Sequence, residues 1–382
     1  MNAKPNLNTK RTIILTGATG VVGSHVFYEL LDQRLKHEFD GEIILLVRKD
    51  KKNNLSARDR IYSFLDKKII PEYLLPFSID QLLRHVLIIE CEFYDVDLSA
   101  ILRERAQDTD IYLIHSAAST NLAIDKTAEI ENREVNYQGS LNLLESCKEF
   151  ITKFTYISTV YASGRLSGII RNEYDELSDL EYRNPYELYK SKTERALADA
   201  CTVYNIDYQV LRPGVVVGRL IDPPLYYLPK YNVVYAFAEF FHNLTKKKVD
   251  APINIKVNPN TSLHLVSVDY VAKAIIRSYI NPTIDQLNII PKSGLEKNYI
   301  QKLLNVVGYK NYTFVDIHTE PTTPYQRAYQ SKVAPSFEPY INDDAFVFDN
   351  TILRELMTDI PMASVNNHFE SLIQYAVEND FK

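Results

Sequence analysis

The segment NPYELYKSKTE contains two residues that together could transfer a proton, Tyr186 and Lys190. Because they are four positions apart, they would share one face of a helix. A phenol can donate the proton that a carbonyl oxygen needs as hydride reaches the carbon, and an adjacent ammonium lowers the pKa of that phenol by favouring the phenolate. The pair therefore indicates carbonyl chemistry, although the same spacing also arises by chance on the surface of a chain with 27 tyrosines.

Two hydroxyl groups precede this pair in the segment YISTVYASG. The segment ends an apolar strand and brings Ser158 and Thr159 to the carboxyl edge of the predicted sheet, where doubly wound folds bind ligands. A hydroxyl at this edge can donate a hydrogen bond to a substrate carbonyl. The alternative interpretation is that it satisfies a local turn.

A glycine-rich segment, TGATGVVG, follows the first predicted strand and precedes an amphipathic helix. Glycines in this setting allow a tight turn and a close approach to a pyrophosphate, whose charge is stabilised at the N-terminus of the helix. The order of strand, turn and helix favours dinucleotide binding over a turn without a ligand. The residues expected to contact the dinucleotide here are Thr16, Gly17, Thr19, Gly20, Val21 and Gly23.

The end of the second predicted strand favours NADP(H) over NAD. A site for NAD would normally place an acidic residue there to accept a hydrogen bond from the ribose 2′-hydroxyl. This chain instead has Arg48 and Lys49, whose positive charges suit a 2′-phosphate. The alternative is a solvated run of charges, which the neighbouring Asp50 keeps open.

The elements that would position these residues alternate between short apolar runs and helical patterns. This alternation predicts an α/β fold of the Rossmann type, with a doubly wound parallel sheet. Runs that are almost wholly apolar are typical of strands buried on both faces. The predicted strands are residues 12–16, 42–47, 86–91, 111–116, 154–158 and 208–212, and the clearest helical patterns cover residues 21–35 and 134–150.

The pattern becomes irregular after about Pro213, with a pair of prolines, an aromatic stretch and mixed short elements. We therefore expect two domains. Residues 1–215 would form the NADP(H)-binding Rossmann domain that carries the catalytic residues. Residues 216–382 would form a smaller C-terminal substrate lobe, interleaved with the first domain through a returning strand near residues 285–291.

Bulk properties narrow the class of function. The net charge of −6 argues against a nucleic-acid binder, and the three cysteines lack the spacing of a metal site or a disulfide framework. The first ten residues lack the apolar core of a secretory signal and look like a frayed tail. No apolar run approaches the roughly 20 residues needed to span a bilayer. We expect a cytoplasmic protein with no metal site and no transmembrane segment.

Seven ordered motifs resemble those of the extended short-chain dehydrogenase/reductases: TGATGVVG, HSAA, VNYQGS, YISTVYASG, YELYKSKTE, LRPGVVVGR and VSVDYVA. The resemblance covers residues 10 to 280, approximately. It implies catalytic roles for Thr159, Tyr186 and Lys190, with Asn136 supporting a proton relay, and a role for Asp269 in structuring a loop over the site. It also implies that the cofactor is contacted by Glu92, Phe93, His115, Ala117, Lys190 and Pro213, where Glu92 and Phe93 replace the family's usual Asp-Leu.

The sequence is most similar to the thioester reductase and fatty acyl-CoA reductase branch of this superfamily. The shared features are LVR at the second strand followed by a helix carrying an arginine, a long insertion near residues 50–84, and YISTVY. The resemblance implies that NADPH reduces an acyl thioester, carried by coenzyme A or a carrier protein, to an aldehyde or onward to an alcohol. The aromatic stretch over residues 226–241 could line an acyl channel or pack the lobe's core. The lysines at 246–248 could contact coenzyme A phosphates or an acidic carrier protein, or form a solvated face.

Two other interpretations stay open. A sugar-nucleotide epimerase or dehydratase, or a hydroxysteroid-type dehydrogenase, would keep the same triad but take other substrates, and the first two would hold NAD tightly. A non-catalytic dinucleotide-binding regulator would commonly lack the tyrosine or the lysine, whereas this chain has both Tyr186 and Lys190.

Overall fold

The computed structural model describes residues 10–174, 178–258, 263–295, 298–342 and 346–382. Residues 1–9 of the ten-residue predicted tail lie outside it, and Lys10, the last residue of that tail, instead begins a strand. The strands are β1 (Lys10–Thr16), β2 (Asp40–Val47), β3 (Val86–Glu90), β4 (Asp110–His115), β5 (Lys153–Ile157), β6 (Gly168–Ile170), β7 (Asp207–Pro213), β8 (Val215–Val217), β9 (Ile253–Lys256), β10 (Leu265–Ser267), β11 (Gln286–Ile289), β12 (Tyr312–Val315) and β13 (Phe346–Phe348). Within the described ranges, seven of them form one parallel sheet in the order β11-β7-β5-β4-β1-β2-β3. This order confirms the predicted Rossmann-type sheet.

The helices cover the sheet and build the C-terminal lobe. They are α1 (Val21–Leu35), α2 (Ala57–Phe64), α3 (Ile79–Leu83), α4 (Ser99–Arg105), α5 (Lys126–Glu131), α6 (Gly139–Cys147), α7 (Pro185–Tyr204), α8 (Val234–Lys246), α9 (Val268–Tyr279), α10 (Tyr299–Val306), α11 (Pro324–Lys332), α12 (Ala334–Phe337), α13 (Pro339–Asn342), α14 (Thr351–Leu356) and α15 (Val365–Glu378). Among the described residues, no helix is both long enough and apolar enough to cross a membrane.

Both faces of the sheet are buried because successive strand residues alternate between two hydrophobic clusters. Ile13 and Leu15 of β1 belong to one cluster, and Ile14 between them belongs to the other. The first cluster includes the apolar side chains of α1 and α9, and the second includes those of α4, α6 and α7. Apolar runs without polar alternation are thus explained by burial on two sides.

The chain returns to the sheet after it has begun the C-terminal lobe. Strand β11, which follows α9, pairs in parallel with β7. The cluster that packs α1 against the sheet also contains Phe237, Tyr329 and Phe369 from the lobe. The lobe and the Rossmann part therefore share one continuous core.

The insertion between β2 and β3 folds as α2, a short 3₁₀ turn (Glu72–Leu74) and α3. The Tyr28 hydroxyl of α1 donates to the Phe64 carbonyl at 2.6 Å, and the Tyr73 hydroxyl donates to Glu29 of α1 at 2.7 Å. The backbone N–H of Glu72 donates to the carbonyl of Pro223 at 3.0 Å. The insertion is thereby attached both to the start of the lobe and to α1, the helix that follows the glycine-rich turn at residues 17–20 (the phosphate turn).

The helix predicted over residues 134–150 differs from the structure. Residues Asn132–Gln138 form a π-helical segment, and α6 begins only at Gly139. The side chain of Asn132 donates to the carbonyl of Asn121, outside the helix, at 2.9 Å. Apolar spacing cannot reveal such a bulge, because the bulge depends on bonds to another segment of the chain. Single π-helical turns inside helices are frequent at functional sites.

Candidate active site

Several residues proposed from the sequence follow strands that end at the carboxyl edge of the sheet. Strand β1 ends at Thr16, β4 at His115 and β5 at Ile157, so the phosphate turn, Ala117 and Thr159 all follow strands that run in the same direction. The strand order reverses between β1 and β4, and such a reversal is where doubly wound folds open a ligand crevice.

The phosphate turn has the shape that a dinucleotide requires. Gly17 has φ +74°, and a Cβ atom there would lie 2.7 Å from the backbone nitrogen of Ala117. A Cβ atom at Gly23 would lie 2.1 Å from the carbonyl oxygen of Gly17. Neither position accepts a side chain, so the turn can stay tight against β4 and α1.

The N-terminus of α1 is open to an anion. Gly20 is its N-cap residue and supplies no capping side chain, and the first turn has no acidic residue. The first N–H groups of a helix need acceptors, and the helix dipole favours a negative charge at that position. These features fit a pyrophosphate.

Basic residues lie beside the same turn. Arg48 and Lys49 follow β2 and are exposed. Arg60 of α2 donates to the Thr19 hydroxyl at 2.6 Å and to the Arg48 carbonyl at 2.6 Å. Partial burial, and then repulsion by Arg48, lowers the pKa of Arg60. A phosphate at this position would relieve that repulsion.

The structure also identifies which arginine of α2 belongs to the site. The sequence resemblance expects an arginine on this helix but does not choose between Arg58 and Arg60. Arg58 donates to the hydroxyl of Tyr62 at 2.9 Å on the exposed side of the helix. Arg60 instead reaches the phosphate turn.

Helix α7 carries Tyr186 and Lys190 near a firmly fixed N-terminus. The side chain of Asn184 accepts a hydrogen bond from the backbone N–H of Glu187 at 3.1 Å, and Pro185 occupies the first helical position. Both features favour helix initiation at this residue. The sequence therefore sets the register that places Tyr186 and Lys190 one turn apart.

Lys190 is almost completely buried. It is 1% exposed, its ammonium donates to the carbonyl of Ile157 at 2.7 Å, and its nitrogen lies 4.1 Å from the centre of the Tyr156 ring. Burial lowers the pKa of Lys190 to about 7, against the opposing effect of Glu194. The side chain can thus change its charge near neutral pH.

The pKa of Tyr186 is shifted in the direction opposite to the one expected. We expected Lys190 to lower it, but burial raises the pKa of Tyr186, and the neighbouring Glu187 raises it further. The hydrogen bond of Lys190 goes to Ile157, and burial weakens the positive charge that Lys190 would contribute. The phenol is therefore fully protonated at neutral pH, as a proton donor must be.

The two hydroxyls after β5 differ in their partners. The Oγ1 atom of Thr159 accepts a hydrogen bond from the backbone N–H of Tyr161 at 3.3 Å, at the start of a 3₁₀ turn. This acceptor role leaves the hydroxyl proton of Thr159 available. The hydroxyl of Ser158 is buried and has no hydrogen-bond partner within the described part of the chain.

Asn136 holds the π-helical segment against the loop that follows β4. Its side-chain oxygen accepts from the backbone N–H of Ser119 at 2.7 Å, and its side-chain nitrogen donates to the Ser119 carbonyl at 2.9 Å and to Asn132 at 2.7 Å. Its main-chain oxygen lies within hydrogen-bond distance of the hydroxyls of Ser140 and Thr193. The polar groups of Asn136 thus have protein partners.

The remaining residues expected at the cofactor lie at this edge with different exposures. Glu92, Phe93 and Ala117 are half-buried, and Pro213 ends β7 as a buried residue. The exposed parts of Glu92 and Phe93 stay compatible with a contact to adenine.

His115 is not available to a cofactor. The residue is fully buried, and its two ring nitrogens already bond to Thr16 at 2.7 Å and to Ser140 at 2.9 Å. Thr16 is also fully buried, so its side chain supports the turn from behind. The expectation that His115 contacts the cofactor is therefore wrong, because its side chain is buried beneath the phosphate turn.

Asp269 structures a loop, as the resemblance implies. One oxygen of its carboxylate accepts from the backbone N–H groups of Leu220, Ile221 and Asp222 at distances of 2.6 to 3.0 Å. These residues lie beyond β8, where the chain enters the lobe. A single carboxylate at the start of α9 thus fixes the entry to the lobe.

The aromatic residues of α8 pack inside the lobe. Tyr235, Phe237 and Phe241 are fully buried, and the rings of Phe237 and Phe337 have centres 4.5 Å apart. This packing favours the core interpretation of the stretch over residues 226–241. Lys246 forms an exposed ion pair with Asp380. Within the described residues, no group of three or more His, Cys, Asp or Glu side chains is placed to hold a metal ion.

Comparison with protein families identifies the chain. A family model described as "Male sterility protein", which represents an NAD-binding region, matches residues 15–275. This range holds the phosphate turn, the Tyr-Lys pair and Asp269. The chain belongs to the male sterility protein family. It is an NAD(P)-dependent oxidoreductase of the extended short-chain dehydrogenase/reductase type, as the motifs predict.

Solved structures show that this family member has the expected fold. The terminal R domain from the myxalamid PKS-NRPS biosynthetic pathway is 18% identical with a TM-score of 0.68, over 99% of this chain and 95% of that one. UDP-glucuronic acid 4-epimerase from Bacillus cereus, in complex with NAD, is 18% identical with a TM-score of 0.62, over 97% and 100%. dTDP-glucose 4,6-dehydratase from Bacillus anthracis, also in complex with NAD, is 13% identical with a TM-score of 0.61, over 97% of each chain. No curated protein sequence matches the chain.

Proposed function

We propose that this male sterility family protein uses NADPH to reduce an acyl thioester, carried by coenzyme A or a carrier protein, to an aldehyde and a free thiol. The observation that carries the proposal is the hydrogen bond from the buried ammonium of Lys190 to the carbonyl of Ile157. It brings α7, with Tyr186 one turn before Lys190, to the end of β5, two residues before Thr159. Family membership supports it. The likeness in fold to a terminal R domain agrees with it.

The preference for NADPH rests on the basic groups at the phosphate turn. Arg60 is held between Thr19 and the Arg48 carbonyl, and Arg48 and Lys49 are exposed beside it. An arginine can bind a phosphate through two N–H groups, whereas a ribose 2′-hydroxyl would leave these charges unpaired.

In the proposed reaction, bound NADPH would supply hydride to the carbonyl carbon of the thioester. The Thr159 hydroxyl would donate a hydrogen bond to the carbonyl oxygen, and Tyr186 would transfer its proton to that oxygen as negative charge develops. The carbon–sulfur bond of the resulting hemithioacetal then breaks. The proton of its hydroxyl group passes to the departing thiolate sulfur. The products are an aldehyde and a thiol.

Lys190 would act through its charge. In the ammonium form it lies beneath the site, bonded to the Ile157 carbonyl, and favours the phenolate that Tyr186 becomes after proton transfer. A second round on the aldehyde would use the same three side chains and yield an alcohol.

The experiment that tests this proposal is NADPH oxidation against a panel of long-chain acyl-CoA thioesters, acylated carrier protein and fatty aldehydes. Conversion of UDP-sugars is followed separately by chromatography of the products, because epimerisation and dehydration consume no NADPH. Tyr186→Phe serves as the control, because it retains the ring and removes the donated proton. We expect turnover of at least one thioester, and a loss of about 10²- to 10⁴-fold in Tyr186→Phe with NADPH affinity retained.

Two outcomes would reject the proposal. Activity on UDP-sugars alone, with tightly bound NAD in the purified protein, would assign the chain to the epimerase and dehydratase type. NADPH binding without turnover of any substrate, unchanged by Tyr186→Phe, would indicate a non-catalytic regulator.

A further inference from the structure

A column of three buried side chains, which ends on a buried main-chain oxygen, runs beneath the candidate site from the phosphate turn to the π-helical segment. Thr16 Oγ1 lies 2.7 Å from His115 Nδ1, and His115 Nε2 lies 2.9 Å from Ser140 Oγ. The Ser140 hydroxyl donates to the main-chain oxygen of Asn136 at 2.6 Å. All four residues are at most 1% exposed, so water cannot replace these bonds.

Thr16, the first residue of the column, determines which group donates and which accepts in each hydrogen bond that follows. Thr16 Oγ1 accepts from the backbone N–H groups of Ser116 and Ala117 at 3.1 and 3.0 Å, which occupies its two lone pairs. Its own proton must therefore go to His115 Nδ1. A neutral imidazole that accepts at Nδ1 carries its proton on Nε2, and that proton goes to Ser140.

The surroundings keep the imidazole neutral. The rings of Phe93, Phe154 and Tyr156 have centres 5.0, 6.0 and 5.8 Å from that of His115. Burial, followed by the charge of Lys190, lowers the pKa of His115 to about 3. The column therefore keeps the same direction across the neutral pH range.

The two ends of the column touch the two functional parts of the site. At the upper end, the turn at Gly17 is so close to β4 that an added Cβ would lie 2.7 Å from the nitrogen of Ala117. At the lower end, the main-chain oxygen of Asn136 lies 3.1 Å from the hydroxyl of Thr193, which is three residues after Lys190 on α7.

We propose that His115, as the neutral tautomer with its proton on Nε2, is a positioning residue that links the phosphate turn to the catalytic helix α7. It touches neither cofactor nor substrate, and it acts by fixing Thr16 and, through Ser140, the main chain at Asn136. The kinetic consequence rests on the proposed reductase function, whereas the tautomer and the effect on dinucleotide affinity do not.

The tautomer is measured by ¹⁵N–¹H correlation spectra of protein labelled at its histidines, with the His115 signals assigned by their loss in His115→Asn. We expect a proton on Nε2, an unprotonated Nδ1, and no titration between about pH 5.5 and about pH 8.5. A proton on Nδ1, or a titration midpoint within that range, overturns the proposal.

The positioning role is measured by NADPH affinity and kcat in matched variants. His115→Leu removes both bonds, and we expect NADPH to bind about tenfold more weakly and kcat to fall about tenfold. Ser140→Ala removes the hydrogen bonds from His115 to residue 140 and from residue 140 to the main chain at Asn136. We therefore expect kcat to fall while the Kd of NADPH stays within about twofold. Should His115→Leu fail to fold, His115→Gln retains a donor towards Ser140 and is expected to weaken NADPH binding more than it lowers kcat.

Thr155→Val is the control for loss of a buried hydrogen bond. Thr155 is on β5, is 1% exposed and donates to Gln209 at 3.2 Å, away from the column. We expect it to lower the melting temperature while leaving NADPH affinity unchanged. Equal changes of affinity in Thr155→Val and His115→Leu would overturn the positioning role. If the wild type reduces no thioester, the proposed function fails, and the spectra and NADPH affinities still decide this inference.

Discussion

At the scale of single residues, the pKa values of Tyr186 and Lys190 depend on how deeply each side chain is buried more than on the spacing between the two residues. The spacing of Tyr186 and Lys190 predicts that they share a helix face, and the capped start of α7 provides it. The sequence could not predict their pKa shifts, because these depend on how deeply each side chain lies in the folded chain. Burial raises the pKa of Tyr186 and lowers that of Lys190 to about 7, so the acid is always protonated and the cation is the group that titrates.

The pKa of Lys190 sets the expected pH dependence. Below about pH 7 the side chain is an ammonium, which in the proposed reaction would stabilise the phenolate of Tyr186, and above it the charge is lost. We expect kcat/KM for reduction to fall about tenfold per pH unit above that value. Lys190→Arg, which stays charged, should flatten the profile if the variant folds. The role of Lys190 would be contradicted by a wild-type kcat/KM that stays constant or rises between about pH 7 and about pH 9.

At the scale of elements, the sequence predicts the strands and helices that have a periodic apolar pattern. It does not predict segments whose conformation depends on contacts with distant parts of the chain. Six strands of the central sheet and helix α1 follow from apolar runs and helical spacing. The π-helical segment before α6 depends on bonds of Asn132 and Asn136 to another loop, and short pairs such as β6 with β13 join segments far apart in the chain. Neither leaves a periodic trace in the sequence.

Helix α2 of the insertion supplies a cation to the phosphate turn, and its two arginines form a matched pair for a test. Arg60→Ala should weaken NADPH binding about tenfold and leave NADH binding within about twofold, because the proposed bidentate contact to the 2′-phosphate would be lost. Arg58→Ala, on the exposed side of the same helix, should change neither. Equal weakening of NADPH and NADH by Arg60→Ala would show that this arginine does not distinguish the 2′-phosphate.

Helix α7 is attached to β7 by a buried ion pair. Arg212 donates to Glu194 at 2.7 to 3.0 Å, and both side chains are less than a tenth exposed. Glu194→Gln leaves the arginine charge uncompensated, so we expect the free energy of unfolding to fall by about 3 kcal/mol in denaturant titrations. Asp359→Asn, in an exposed pair with Arg277, should cost less than about 1 kcal/mol. Comparable losses of unfolding free energy in the two variants would contradict a stabilising role for the buried ion pair.

At the scale of the whole molecule, the lobe cannot be separated from the sheet. Phe237 lies in the same hydrophobic cluster as Ile13 of β1, and β11 returns from the lobe to pair with β7. The sequence predicts the return of the chain, but a shared core is a property of packing and leaves no mark in composition or spacing. We therefore expect the lobe and the sheet to unfold together.

Cooperativity can be tested with a substitution in the lobe. Phe237→Ala removes a fully buried ring and should lower the free energy of unfolding by about 3 to 5 kcal/mol. Hydrogen exchange should then accelerate equally for amides of α8 and of β5. Phe314→Ala, at a ring that is 42% exposed, should cost less than about 1 kcal/mol. Faster exchange in α8 with β5 unchanged would show two independent units.

The late return of β11 and α9 has a consequence for the newly made chain. Until the ribosome has released Gln286–Ile289, the outer side of β7 has no neighbouring strand, and until α9 emerges the side of α1 that packs against α9 is uncovered. An unpaired strand and a bare helix face are surfaces on which nascent chains aggregate. The first 215 residues, although they hold every group proposed for the chemistry, would therefore need chaperone protection during synthesis and would not be a sound unit for expression on their own.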